Sequence, residues 1–176
     1  MNYRGDLNTE QQNKNSLNID KMEVQEILHA INNEDASIAD VVKSAIPQIE
    51  ETVNHAVSSV KNGGRVFYVG AGTSGRLGVL DASEIPPTFS ASLDNFIGII
   101  AGGDKALRIS IEGAEDSVTN AIRDLEKFNL DNKDTLIGIS CSGAAYYVIS
   151  ALDHAREREA STVYIVTNPK PHLMTK

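Results

Sequence analysis

Apolar residues recur at steps of three and four through the first third of the chain and gather into short unbroken runs thereafter. Met22, Ile27, Leu28 and Ile31 share one face of a helix over about residues 21–32. A longer stripe of Ile38, Val41, Val42, Ala45, Ile46, Ile49, Val53, Ala56, Val57 and Val60 predicts a second amphipathic helix, with Ser37 as its N-cap. Pro47 predicts a kink in that helix, and Asn62-Gly63-Gly64 its end. After Gly64 the period changes. Residues 65–69, 96–101, 135–140 and 162–167 read as buried strands, alternating with helices over 76–84, 114–128 and 144–158 and a helical region from about 104. Pro86-Pro87 is expected to stop the first of these helices. Strands of continuous apolar content between helices predict an α/β protein: a three-layer αβα arrangement on a parallel sheet, preceded by N-terminal helices. The division expected is a polar arm with N-terminal helices at 1–62 and an α/β domain at 63–176.

Composition narrows the class. A chain of 176 residues that is 41% hydrophobic suffices for one domain with a helical appendage. Asp and Glu outnumber Lys and Arg 24 to 16, a net charge of −8 with no dense basic block, which argues against a nucleic-acid partner. The one cysteine, Cys141, excludes an internal disulfide and a multi-cysteine metal cluster. The longest apolar run, 96–101, is too short to span a membrane, and residues 1–12 lack the apolar core of a signal peptide. These features predict a soluble cytoplasmic protein. Residues 1–18 are polar and are expected to be disordered or to dock elsewhere as an arm.

Chemistry concentrates where the strands end. In a parallel sheet, ligands collect at the carboxyl ends of the strands, beside helix N-termini. The first such loop, Gly70-Ala71-Gly72-Thr73-Ser74-Gly75-Arg76, matches G-x-G-x-x-G, but the second strand ends Ala101-Gly102-Gly103 without the acidic residue of a dinucleotide site, and no Gly-Lys-Ser/Thr follows. Gly72, Thr73, Ser74 and Gly75 suit a phosphate monoester; the plainer reading is a glycine turn that packs helix on strand. The second loop carries Ser140, Ser142 and Gly143, again either an anion cradle or an ordinary Ser/Gly turn. Cys141 reads as a buried filler rather than a nucleophile. Glu84 falls at the end of its predicted helix, where the dipole disfavours a carboxylate, and Glu115 near the start of another, where capping is the ordinary explanation. Two carboxylates in different environments also suit general acid and base work. His29, His55, His154 and His172 fall mostly on expected helix surfaces and show no metal-ligand spacing, so no metal is expected.

With those residues in view, the chain resembles the sugar isomerase (SIS) domain family, and within it the N-acetylmuramic acid 6-phosphate etherases. The resemblance is strongest over GGRVFYVGAGTSGRLGVLDASEIPPTF at 63–89 and extends through IAGGDKAL at 100–107 and EGAEDS at 112–117. Thr9, Glu10, Asn13, Ser16, Ile19 and Asp20 fall at that family's spacing. It implies a flavodoxin-like SIS fold and a lyase of amino-sugar and peptidoglycan recycling, cleaving the lactyl ether to N-acetylglucosamine 6-phosphate and D-lactate without metal or organic cofactor. It implies Glu84 as proton donor, Glu115 as the second carboxylate, the 6-phosphate held by Ser74 and Ser142 with help from Thr73, and a homodimer with shared sites.

Two departures stand out. Where these etherases usually read Ser-Gly-Arg-Thr-Pro-Tyr, this chain has Ser142-Gly143-Ala144-Ala145-Tyr146-Tyr147. It also ends at Lys176, before the fifth strand, the Ser-Ser-Arg-Met-Lys loop and the C-terminal helical region that the resemblance implies. A sugar-phosphate-binding regulatory protein, like the glucokinase regulatory protein, is the alternative; it would need the loops but not both glutamates. An aldose–ketose isomerase would lack the DASEIPP segment. An inactive fragment with an exposed sheet edge is the remaining expectation.

Overall fold

The computed structural model describes residues 5, 7–168 and 171–175. Two helices, α1 (Val24–Ser44) and α2 (Ile46–Lys61), precede β1 (Val66–Gly70), α3 (Gly72–Phe89), β2 (Phe96–Ile100), α4 (Val118–Glu126), β3 (Thr135–Ile139), α5 (Tyr146–Glu157) and β4 (Ser161–Ile165). The strands form one parallel sheet in the order β2-β1-β3-β4. Val66 pairs with both Phe96 and Thr135, so β2, β1 and β3 start level and their carboxyl ends open on one edge. The chain steps one way from β1 to β2 and then returns across β1 to β3. The edge above β1 and β3 is therefore the topological switch point where such sheets bind ligands.

The sheet buries unequal faces. Phe67, Val69 and Leu136 pack with Ala121 and Leu125 of α4 and with Tyr147, Val148 and Leu152 of α5 in the principal core. Tyr147 is fully enclosed, yet its hydroxyl donates to Asp124 Oδ2 at 2.9 Å. Burial first, and the Asp124 bond and charge second, push its phenol well above the ordinary tyrosine range. The folded chain thus holds a proton that the unfolded chain releases near pH 10, so this contribution is present below that pH and lost above it. Tyr147→Phe is expected to flatten the fall of the urea midpoint between pH 9 and 11; an unchanged slope would remove Tyr147 from that role.

One ion pair ties the two central strands at their start. Asp134 accepts from Arg65 N (2.8 Å), Nε (3.2 Å) and Nη2 (2.7 Å), and from the Asp131 amide at 3.0 Å. Arg65 also donates to the Phe128 carbonyl, and its guanidinium lies 4.9 Å from the Phe67 ring centroid. Nearby, Ser59 of α2 and Thr135 of β3 share a buried hydroxyl–hydroxyl bond of 2.8 Å.

Several boundaries differ from the sequence reading. The first two helical stretches merge across Ser37, which lies inside α1 and donates its Oγ to Glu34 O at 2.7 Å rather than capping a new helix. Glu26 instead accepts from the Glu23 amide at the start of α1. The break falls at Ala45, two residues before Pro47, because a proline in the first turn loses no helical hydrogen bond and sets the angle for a new start. Pro86-Pro87 does not stop α3. The helix passes through both to Phe89 and ends at Ser90, whose φ is 55°. The missing amides fall close to that end, and Gly78 and Ala82 hold the preceding turns against the sheet. The arm is docked: Leu7 is buried and short 3-10 turns follow at Asn8–Glu10 and Lys14–Ser16, while residues 1–4 and 6 of it lie outside the described residues.

Candidate functional site

Two loops meet above β1 and β3. β1 ends at Gly70, and α3 begins at Gly72, so Thr73, Ser74 and Gly75 occupy the first turn of a helix rather than a free loop. Gly70 and Gly75 serve packing: a Cβ on Gly75 would lie 2.7 Å from both Gly70 O and Ile100 Cγ1. Close packing of helix on strand accounts for these two glycines. It does not account for Thr73 and Ser74, which sit where the first amides of a helix lack internal acceptors and the dipole favours an anion. Thr73 is exposed, and Ser74 is buried beneath it.

The second loop leaves β3 and enters α5. Ser140 Oγ accepts from the Gly143 amide and Ser142 Oγ from the Ala144 amide, both at 3.2 Å, which closes two small side-chain turns. Accepting in this way leaves the Ser142 hydroxyl hydrogen to be aimed outward. Gly143 has φ 68°, and a Cβ there would meet Pro171 Cβ at 2.5 Å, because residues 171–173 fold back over the loop. Ser74 Oγ and Cys141 Sγ approach to 3.7 Å and join the two loops. Cys141 is exposed, not the buried filler expected, because its loop has already left the sheet. Ala144 and Ala145 are buried at the base of α5, so these positions offer no side chain to a ligand.

The carboxylates are placed apart. Glu115 is exposed on a 3-10 turn, Ala114–Asp116, and lines a cleft of about 240 Å³ with Gly72, Arg76, Ser110 and Glu112. Arg76, whose Nε donates to Leu107 O at 3.2 Å, brings a cation to that cleft, a role the sequence reading did not assign to it. Its position at the end of the first helical turn was the available signal. Glu84 is also exposed but lines a different, more open hollow with Tyr68, Leu77, Asp81 and Ile139. It is twelve residues beyond Gly72 on α3, which places it about 18 Å down the helix from the loops. Helix α3 does not end there, so the helix-terminus argument for Glu84 lapses. In the same hollow burial, and then the nearby Asp81, push the Tyr68 phenol upward.

His29 and His55 are exposed on α1 and α2, and His154 lies on α5. His172 is not on a helix. It follows Pro171 beside Gly143, and its Nδ1 is enclosed without a hydrogen-bond partner among the described residues. Among the described residues, no group of three or more His, Cys, Asp or Glu is placed to hold a metal ion, and no helix is long and apolar enough to cross a membrane.

Residues 48–156 match the family described as the glucokinase regulatory protein N-terminal SIS domain. The chain belongs to the SIS domain family. Among curated relatives, the SIS chain is 48% identical over 166 residues to N-acetylmuramic acid 6-phosphate etherase 1 of Bacillus licheniformis, covering 94% of this chain and 55% of that protein. It is 54% identical over 151 residues to the N-acetylmuramic acid 6-phosphate etherase of Bacteroides fragilis, covering 86% and 54% respectively. Against the enzyme of that name from Actinobacillus succinogenes it is 50% identical over 161 residues, covering 92% and 53%. The chain spans about half the length of the curated relatives it matches. Solved structures of similar fold include a phosphoheptose isomerase from Neisseria gonorrhoeae, with a TM-score of 0.62, 18% identity and coverage of 82% of this chain and 75% of that one. Another is a phosphoheptose isomerase from Francisella tularensis, with a TM-score of 0.57, 22% identity and coverage of 79% and 74%. At such identities the likeness is one of fold, and it agrees with the parallel sheet and flanking helices predicted from the hydrophobic pattern.

Proposed function

We propose that the two loops bind the phosphate of an amino-sugar 6-phosphate and that the whole protein is a lyase acting on N-acetylmuramic acid 6-phosphate. The observation that carries the phosphate reading is the meeting of two hydroxyl-bearing loops, each leading into a helix, at the switch point of the sheet. Thr73, Ser74 and Ser142, with the first amides of α3, supply the donors, and Arg76 brings one positive charge to the adjoining cleft. Gly72, Gly75, Ser140 and Gly143 shape the cradle. The likeness to curated etherases supports the choice of substrate.

In the proposed reaction, ring opening exposes an aldehyde that acidifies the proton on C2. One carboxylate removes that proton, and the electron pair forms the C2–C3 double bond as the C3–oxygen bond breaks. A second carboxyl group protonates the departing lactate oxygen, and water then adds across the double bond to leave N-acetylglucosamine 6-phosphate. Glu115 and Glu84 are the proposed base and acid. Because they line separate hollows of one chain, Glu84 serves the site of a second copy in a homodimer. Leu77 and Leu80, exposed on the same helix, and the exposed apolar stripe of α1 and α2 support such a contact. The proposed setting is the cytoplasm, with neither metal nor cofactor.

Incubation with N-acetylmuramic acid 6-phosphate is expected to release D-lactate, measured enzymatically. Saturable sugar-phosphate binding without lactate would overturn the lyase reading and favour a regulatory binding protein, the class for which the matched family is named.

A further inference from the structure

Asn168 lies just beyond β4 and is only 4% exposed, with its side chain between segments remote in sequence. Its Nδ2 donates to the carbonyl oxygens of Cys141 (3.2 Å) and Ser142 (3.1 Å) and to Thr9 Oγ1 (3.4 Å). Its Oδ1 accepts from the Asn8 amide at 3.0 Å. Two carbonyls on one side and an N–H on the other fix which way the amide lies. The backbone of the second loop is thus bonded to the docked N-terminal arm through one buried side chain.

We infer that Asn168 is a positioning residue through which docking of the arm at Asn8 sets the geometry of the Ser140–Gly143 loop, so that the arm tunes phosphate affinity. The inference rests on the reading of that loop as phosphate-binding. Its physical basis is the cost of leaving a buried acceptor unpaired. When the Asn8 amide is withdrawn, Oδ1 has no other donor among the described residues and the side chain turns to find one. Its Nδ2 then leaves the carbonyls of Cys141 and Ser142. The Ser142 hydroxyl moves with its backbone.

Asn8→Pro tests this with little other disturbance. Asn8 opens a 3-10 turn, where proline is accepted, and Leu7 before it already has the extended backbone that a following proline requires (φ −69°, ψ 141°). Asn8→Ala retains the amide and is the matched control. Amide exchange over residues 142–145 and titration with N-acetylglucosamine 6-phosphate are the two readouts, on the full chain. Asn8→Pro is expected to speed loop exchange and to weaken binding, each about threefold to tenfold, with β1 and β3 exchange unchanged and Asn8→Ala like wild type. Wild-type loop exchange in Asn8→Pro, or an equal loss in Asn8→Ala, would overturn the inference. Loop exchange that responds to Asn8→Pro, together with a wild-type chain that binds no sugar phosphate, would sustain the positioning role and sink the phosphate reading instead.

Discussion

Asp134→Ala is expected to cost about 3–5 kcal/mol of stability, among the largest losses any single change in this chain would bring. The carboxylate is 1% exposed and takes hydrogen bonds from the backbone and guanidinium of Arg65 and from the Asp131 amide. Alanine leaves those donors facing a hole at the point where β1 and β3 begin. The guanidinium is 27% exposed and recovers part of its hydration, which places the loss toward the lower end of the range. Asp134→Asn retains one acceptor for the Arg65 amide but turns an NH₂ toward a cation, so an intermediate loss is expected. Urea unfolding followed by circular dichroism measures both. A loss below about 1 kcal/mol for Asp134→Ala would show the pair to be no more than a surface bridge.

Glu84→Gln is expected to lower lactate release by a factor of about 10² to 10⁴, the usual contribution of a positioned acid, while sugar-phosphate binding is retained. The distinctive consequence comes from mixing. If Glu84 of one copy serves the cleft of Glu115 in the other, a hybrid of Glu84→Gln and Glu115→Gln chains carries one intact site and one doubly altered site. Random exchange of subunits then restores about a quarter of wild-type turnover from two inactive proteins. If both glutamates act within one chain, every hybrid site carries a lesion and mixing restores nothing. Retained turnover in Glu84→Gln alone would remove that residue from the reaction.

The architecture was legible because a parallel sheet buried on both faces writes itself as unbroken apolar runs, and each of the four strands lies within two residues of its expected position. The helix boundaries were less legible. The apolar stripe continues across the Ala45 break, so periodicity cannot show where one helix stops, and Pro86-Pro87 is held helical by tertiary packing that local propensity does not contain. Both loops were visible from their glycines and hydroxyls. The separation of Glu84 from Glu115 was not, because the distance between them follows from α3 running the length of the sheet away from the loops. Asn168 carried no signal either: an asparagine after a strand is an ordinary turn residue until the arm and the second loop are seen to converge on it.

The most direct test of the central claim is a titration with N-acetylglucosamine 6-phosphate followed by backbone-amide NMR. Saturable shifts at residues 72–76 and 142–145, lost together in Ser74→Ala, are expected if the two loops form one phosphate cradle. Saturable binding whose shifts fall elsewhere, or no saturable binding, would contradict it.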